Sequence, residues 1–190
     1  VNGKVEKGRF SIVVKMPSEI ENLYVPARFT AYAWDDKGLE ANGEFDRFYV
    51  YGYAEDAAVD DEGPQVEYLY LNNRNFNPGD VVNSNPVLFA RVSDPSGINL
   101  SDAGIGHKIT AVVDGSTIYD DVSSFFTSDP EEEGAGTVSY PISGLAPGRH
   151  ELVFTVWDNA NNSSSAALEF NVGAAVDPVI HELATNVNPA

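Results

Sequence analysis

From residue 166 to residue 172 the chain alternates strictly. Ala166, Leu168, Phe170 and Val172 fall on one side, with Ala167, Glu169 and Asn171 on the other. A repeat of two is the repeat of a β-strand with one buried and one wetted face. Helical periodicity is missing almost everywhere else, and the same alternation returns at Ile109, Ala111 and Val113, at Val138, Tyr140 and Ile142, and at Leu152, Phe154 and Val156. Gly, Pro, Asn and Asp clusters bound each run, which is the punctuation of strands and turns. Residues 66–71 and 87–92 add two further strands, and residues 122–127 a candidate seventh. Roughly seven strands in about 110 residues is the count of an immunoglobulin-like sandwich, so the chain is expected to be all-β, with that sandwich over residues 65–173. On the same pattern Trp157, following Leu152, Phe154 and Val156, is expected to be largely buried.

The first 55 residues carry three more strands, centred on residues 10–16, 29–34 and 45–53, joined by Pro17, Pro26 and the Asp36-Lys37-Gly38 turn. Three strands make a poor independent domain, so residues 1–55 read as a partial β-domain whose other strands lie upstream. Residues 56–64 are an acidic linker ending in Gly63-Pro64, and residues 174–190, with Pro178 and Pro189, a C-terminal one. The start without Met and this tail both suggest a piece of a longer protein.

Charge and residue inventory exclude several functions. Eleven Lys and Arg against 29 Asp and Glu leave a net charge of −18, which repels a phosphate backbone. Nucleic acid is therefore not an expected partner, and no apolar run is long enough for direct membrane insertion as a helix. With no cysteine, there is no thiolate nucleophile, disulfide or cysteine metal site. No Gly-x-Ser-x-Gly elbow is present, and among 29 acids a pair at glycosidase spacing arises by chance. His107 is expected to make a turn hydrogen bond at the start of a strand, and His150 and His181 have no neighbour at zinc-ligand spacing. No catalytic or cofactor-binding residue is expected.

Two groups of residues stay open between a bland and a sharper reading. Asp94, Asn99, Asp102, Asp158, Asn159 and Asn161 offer the hard oxygens that calcium takes, but the same side chains close turns on their own backbone; the expectation is no metal, with calcium the one ion these loops would suit. The adjacent sequons at Asn161 and Asn162 read as a hairpin turn. Tyr49, Tyr51 and Tyr53 line up on one face of a strand, with Tyr32 and Trp34 alternating on the strand before it. Such a stripe either packs against other β-structure or stacks on sugar rings; it is the candidate interaction surface, with packing preferred. The Glu131-Glu132-Glu133 run reads as a solvated loop.

The order of punctuating residues also carries a resemblance. It runs through Gly63-Pro64, Asn72, Phe76, Gly79, Asn85-Pro86, the stretch Asp94-Pro95-Ser96-Gly97-Ile98-Asn99, Gly104-Ile105-Gly106-His107 and Asp114-Gly115. It continues through Gly136, Tyr140, Leu145, Gly148, His150, Trp157-Asp158 and Asn161-Asn162-Ser163-Ser164, and Gly8-Arg9-Phe10-Ser11, Pro17, Ile20 and Tyr32-Ala33 agree upstream. This resembles the C-terminal β-sandwich region of the PorU family, the gingipain-like cysteine peptidases that act as sortases of the type IX secretion system in Bacteroidetes. The resemblance implies an extracytoplasmic, outer-membrane-associated parent that trims C-terminal secretion signals and links cargo to lipopolysaccharide. Its Cys and His would belong to an upstream peptidase domain, so no catalytic residue carries over to this chain. The implied role is that of an accessory region that positions the catalytic domain or docks it to outer-membrane secretion components. The rival is a free-standing adhesin or glycan-binding module.

Overall fold

The structure, a computed structural model, describes residues 3–18, 24–52, 59–101, 107–115, 117–119 and 121–174. Tyr53, Asp102 and His181 lie outside the described residues. Strands β1 (Pro26–Trp34) and β2 (Glu40–Tyr49) form an antiparallel hairpin. The predicted Asp36-Lys37-Gly38 turn closes it, anchored by Asp35, whose Oδ1 accepts the main-chain N–H of Lys37 and of Leu39, both at 2.9 Å.

The remaining strands make the sandwich. They are β3 (Gln65–Leu71), β4 (Val81–Val82), β5 (Val87–Ser93), β6 (Thr110–Val113), β7 (Thr117–Tyr119), β8 (Phe126–Ser128), β9 (Ala135–Pro141), β10 (Gly148–Trp157) and β11 (Ser163–Val172). One sheet has the order β3-β5-β9-β8, the other β4-β11-β10-β6-β7. These are the ABED and GFC orders of the immunoglobulin fold, with an added strand at each end of the second sheet. The chain leaves the first sheet after β3 and lays β4 parallel to β11 on the second, while every other pairing is antiparallel.

The inward faces are those the alternation marks. Leu71, Leu88, Ala90, Val92 and Val138 from one sheet meet Ala111, Leu152, Phe154, Val156 and Phe170 from the other, all fully buried. Three expectations need correction. Residues 10–16 form no ladder with any described residue. Residues 122–127 split into a short 3-10 turn, Ser123–Phe125, and the three-residue strand β8. Trp157 is half-buried rather than buried: parity puts it on the face opposite Phe154 and Val156, where its ring lies 4.1 Å from that of His107.

A candidate site at the loop end of the sandwich

Three loops meet at one end of the sandwich. Residues 94–99 lead from β5 toward β6, residues 129–134 join β8 to β9, and residues 158–162 close the β10-β11 hairpin, while the linker into β3 passes beside them. Asp158 builds the hairpin turn from within: its Oδ1 accepts the N–H of Ala160 at 2.8 Å and of Asn162 at 2.7 Å, and its Oδ2 accepts the Asn162 amide at 2.8 Å. Asp94 closes its own turn in the same way, accepting from Ser96 N at 2.6 Å. The second sequon position is thereby committed, because the Asn162 amide also donates to the Asp60 carbonyl at 3.0 Å.

These turns bring Asp60, Asp94 and Asp158 together, one carboxylate oxygen of each lying within 4.8 Å of the others. Asp158 and Asp94 are buried and Asp60 is half-buried, its Oδ2 accepting from Ser96 Oγ. Crowding of this kind disfavours three negative charges at once. Burial, reinforced by Asp158 and Asp60 and opposed by the N–H groups of Ser96 and Gly97, pushes the Asp94 carboxyl up to about 6. A proton relieves the crowding; a hard divalent cation would do so as well, and three carboxylates are the donors calcium prefers.

Of the six residues expected in calcium loops, the structure therefore joins Asp94 and Asp158. Asn99 is buried, accepting from Ser101 N at 2.9 Å. Asn159 donates to the Ser96 carbonyl at 2.9 Å, and Asn161 holds the turn at φ 74°. Sequence reading missed Asp60, which lies in a segment read as linker and reaches the group only through the tertiary fold.

The same end of the sandwich holds the N-terminal segment. Lys4 Nζ pairs with Glu131, Lys15 Nζ donates to the Pro95 carbonyl and lies 3.2 Å from Glu133, and Ser18 N donates to the Asn159 carbonyl at 2.8 Å. Glu132 and Asp129 pair with Arg91, which also holds Glu67. The 131–133 run is exposed, as a solvated loop should be, but each of its acids meets a cation. The loop end is thus a joint between the first segment of the chain and the sandwich.

The tyrosine stripe is arranged differently from expectation. β2 ends at Tyr49, and Tyr51 lies beyond it, beside Gly52 at φ 81°. Both pack on Tyr24: Tyr49 stacks with it at 4.4 Å and Tyr51 meets it edge-on at 4.7 Å. All three rings remain about half or more exposed. At the far end of the sandwich His150 is buried with Nδ1 at 2.7 Å from Asp114 Oδ2 and Nε2 at 2.7 Å from the Ala146 carbonyl. With an acceptor at each nitrogen, the doubly protonated ring is favoured and its pKa raised, first by the Ala146 carbonyl and then by Asp114.

The architecture defines an immunoglobulin-like β-sandwich with a β-hairpin unit ahead of it, built without cysteine. No family model matches the sequence, and no curated protein matches it. Among solved structures, the crystal structure of dimeric latent PorU from Porphyromonas gingivalis is similar, with 31% identity and a TM-score of 0.61. The similarity covers 85% of this chain and 15% of that one, so the chain corresponds to a small part of the PorU length. Over most of its residues the chain is PorU-like.

Proposed function

We propose that this chain is the non-catalytic accessory β-region of a PorU-like cysteine peptidase, a sortase of type IX secretion at the bacterial surface, lying C-terminal to the catalytic domain and positioning it or docking it to outer-membrane partners. The observation that carries this reading is the similarity to PorU at 31% identity over 85% of the chain. The absence of cysteine supports it from the chemical side, since the thiol such a peptidase needs must come from elsewhere in the parent. The joint at the loop end suits a positioning role, because Lys4, Lys15 and Ser18 fix the approach of the preceding segment to the sandwich.

The coding sequence decides the first step: upstream of Val1 it should encode an α/β domain bearing a Cys and a His, and its absence would remove the sortase reading. In the parent, deletion of this region should abolish cargo processing at the cell surface while the purified remainder still cleaves a small peptide. The isolated chain should hydrolyse no peptide in a thiol-sensitive manner. Any trace activity should be indifferent to iodoacetamide, and thiol-sensitive cleavage by the pure chain would contradict the assignment.

One observation favours the adhesin reading. Tyr24, Tyr49 and Tyr51 form an exposed aromatic group, and exposed rings of this kind stack on sugars. On the accessory reading a panel of bacterial and host glycans should show no saturable binding. Binding that disappears in Tyr51→Ala without a change in melting temperature would reverse the choice.

A further inference from the structure

At the end of the sandwich opposite the three loops, β10 opens with an alternation that turns Arg149 and Glu151 outward and His150 and Leu152 inward. An imidazole sent into a core needs partners for its nitrogens, and His150 meets two acceptors on two different elements. Nδ1 lies 2.7 Å from Asp114 Oδ2 on the β6–β7 turn, and Nε2 lies 2.7 Å from the Ala146 carbonyl on the bend that enters β10. Carboxylate and carbonyl oxygens only accept. Both contacts are therefore hydrogen bonds only while the ring carries both protons.

The two contacts are not equivalent. Asp114 is tied to β10 twice more, its Oδ1 accepting the Glu151 N–H at 3.0 Å and its own N–H donating to the Glu151 carbonyl at 2.9 Å. The bend is anchored up to Leu145, with Ile142 N, Gly144 N and Leu145 N donating to Pro86 O, Asn85 Oδ1 and Ser84 O, and again from Gly148, which pairs with Val172. Between those anchors Pro147 has no N–H to offer, and His150 holds the Ala146 carbonyl. The charged surroundings are simple. Asp114 faces the ring from the β6–β7 turn, Phe170 packs on it from β11 with centroids 5.4 Å apart, and Ala146, Pro147 and Gly148 of the bend carry no charge. Arg149 and Glu169 pair with each other at exposed positions of β10 and β11, and Glu151 is exposed on the same face.

A neutral imidazole keeps one proton. Kept at Nδ1, it still donates to the charged carboxylate; kept at Nε2, it would leave a lone pair facing that carboxylate at 2.7 Å. The first tautomer is the one retained, and its Nε2 lone pair then faces the lone pairs of the Ala146 carbonyl. We propose that His150 is a proton-operated latch: charged, it fastens the 146–148 bend to β10 and the β6–β7 turn, and on losing its Nε2 proton it releases the bend while the Asp114 bond and the sandwich stay intact. The direction follows from the raised pKa of His150, owed first to the Ala146 carbonyl and, against the effect of burial, to Asp114. The latch is closed below 6.5 and opens as the pH rises through the folded value. It works in the same way whether or not the parent is a peptidase.

Two readouts on the whole chain, taken from about pH 5 to about 9, test the latch. Nitrogen NMR of the histidine rings, with the His150 signal identified by its loss in His150→Gln, should show a titration above 6.5 in which Nε2 is the nitrogen that gives up its proton. Because the chain has no cysteine, a nitroxide can be attached at Ala146→Cys alone, at an exposed side chain whose replacement leaves the carbonyl in place. Its spectrum should pass from slow to fast motion through the same midpoint, while a nitroxide at the exposed Ser139→Cys of β9 does not change. Asp114→Asn keeps an acceptor for the Glu151 N–H and suits the left-handed φ of 53°, so the fold survives. It should lower both midpoints together, by about one pH unit. In His150→Gln the label at 146 should move alike at every pH; should that variant not fold, the wild-type and Asp114→Asn titrations decide by themselves. The latch is overturned if Nδ1 loses its proton first, or if the label at 146 does not follow the His150 titration. It is equally overturned if the label at 139 loosens along with the one at 146, since His150 would then be a support of the whole sandwich and not a local fastening.

Discussion

In EDTA the chain should be most stable in mildly acid solution and should lose stability as the pH rises from about 4 through about 6. The cause is Asp94, whose carboxyl is pushed up to about 6 by burial and by the neighbouring Asp158 and Asp60. In the unfolded chain it returns to the ordinary value of 3.8. Between those two values the folded state binds the proton and the unfolded state does not, so raising the pH favours unfolding. A difference of about two units sets a ceiling near 3 kcal/mol on the loss. His150 continues the decline: its raised pKa means that a contribution present below 6.5 disappears as the pH rises through the folded value. Asp114 and Asp121 act in the other direction. The Glu151 N–H and His150 lower the first and Lys108 and Ser123 the second, so both stabilise above the usual carboxylate range and cease to do so in strong acid.

Thermal melts from pH 3 to 9 should therefore peak near pH 4. Asp94→Asn should flatten the fall between about pH 4 and 6, and His150→Gln the fall above it. A melting temperature that climbs steadily from pH 4 to 7 would show that Asp94 is not crowded as described. Calcium separates the two ways of relieving the crowding. If the three carboxylates take the ion, millimolar calcium at pH 8 should restore the stability lost on deprotonation, and it should do so in wild type but not in Asp94→Asn. If calcium and EDTA give the same melt, the proton is the only relief and the loops are turns alone.

What could be read from the sequence follows from the range over which each feature is encoded. Alternation within a strand is local, so β5, β9, β10 and β11 and their inward residues were legible from spacing. The same local rule, applied one residue too far, misplaced Trp157, since a residue directly after Val156 must point to the other face. Strands without a pattern of their own were not legible. β4 has two residues and is defined by its parallel pairing with β11, about 90 residues away. The carboxylate group was half legible: Asp94 and Asp158 stand in turn motifs, but Asp60 joins them only through Ser96 and Asn162. Arg91 likewise draws Glu67, Asp129 and Glu132 from 24, 38 and 41 positions away, so the neutralised 131–133 run read as a free acidic loop.

The loop end of the sandwich can be broken at one atom. Gly134 ends the 131–133 loop at φ 78°, and a Cβ placed on it would lie 2.1 Å from the Asp94 carbonyl oxygen. That oxygen is main chain and accepts the Gly97 N–H at 3.0 Å, while Asp94 N donates to the Gly134 carbonyl at 3.1 Å. Neither side can yield without opening the turn that places Asp94 beside Asp158. Gly134→Ala should accordingly destabilise by about 3 kcal/mol, combining the left-handed penalty of a non-glycine residue with a clash against fixed backbone. Gly144→Ala isolates the first part, because Gly144 has φ 75° but nothing within 4 Å of its added Cβ. It should cost about 1 kcal/mol. The difference between the two, measured by urea unfolding, is the cost of separating the 129–134 loop from the 94–99 turn. If the variants are equally stable, the two loops do not touch as described. If Gly134→Ala is the weaker and also loses the fall in stability between about pH 4 and 6, the same contact both holds the two loops together and crowds the carboxylates.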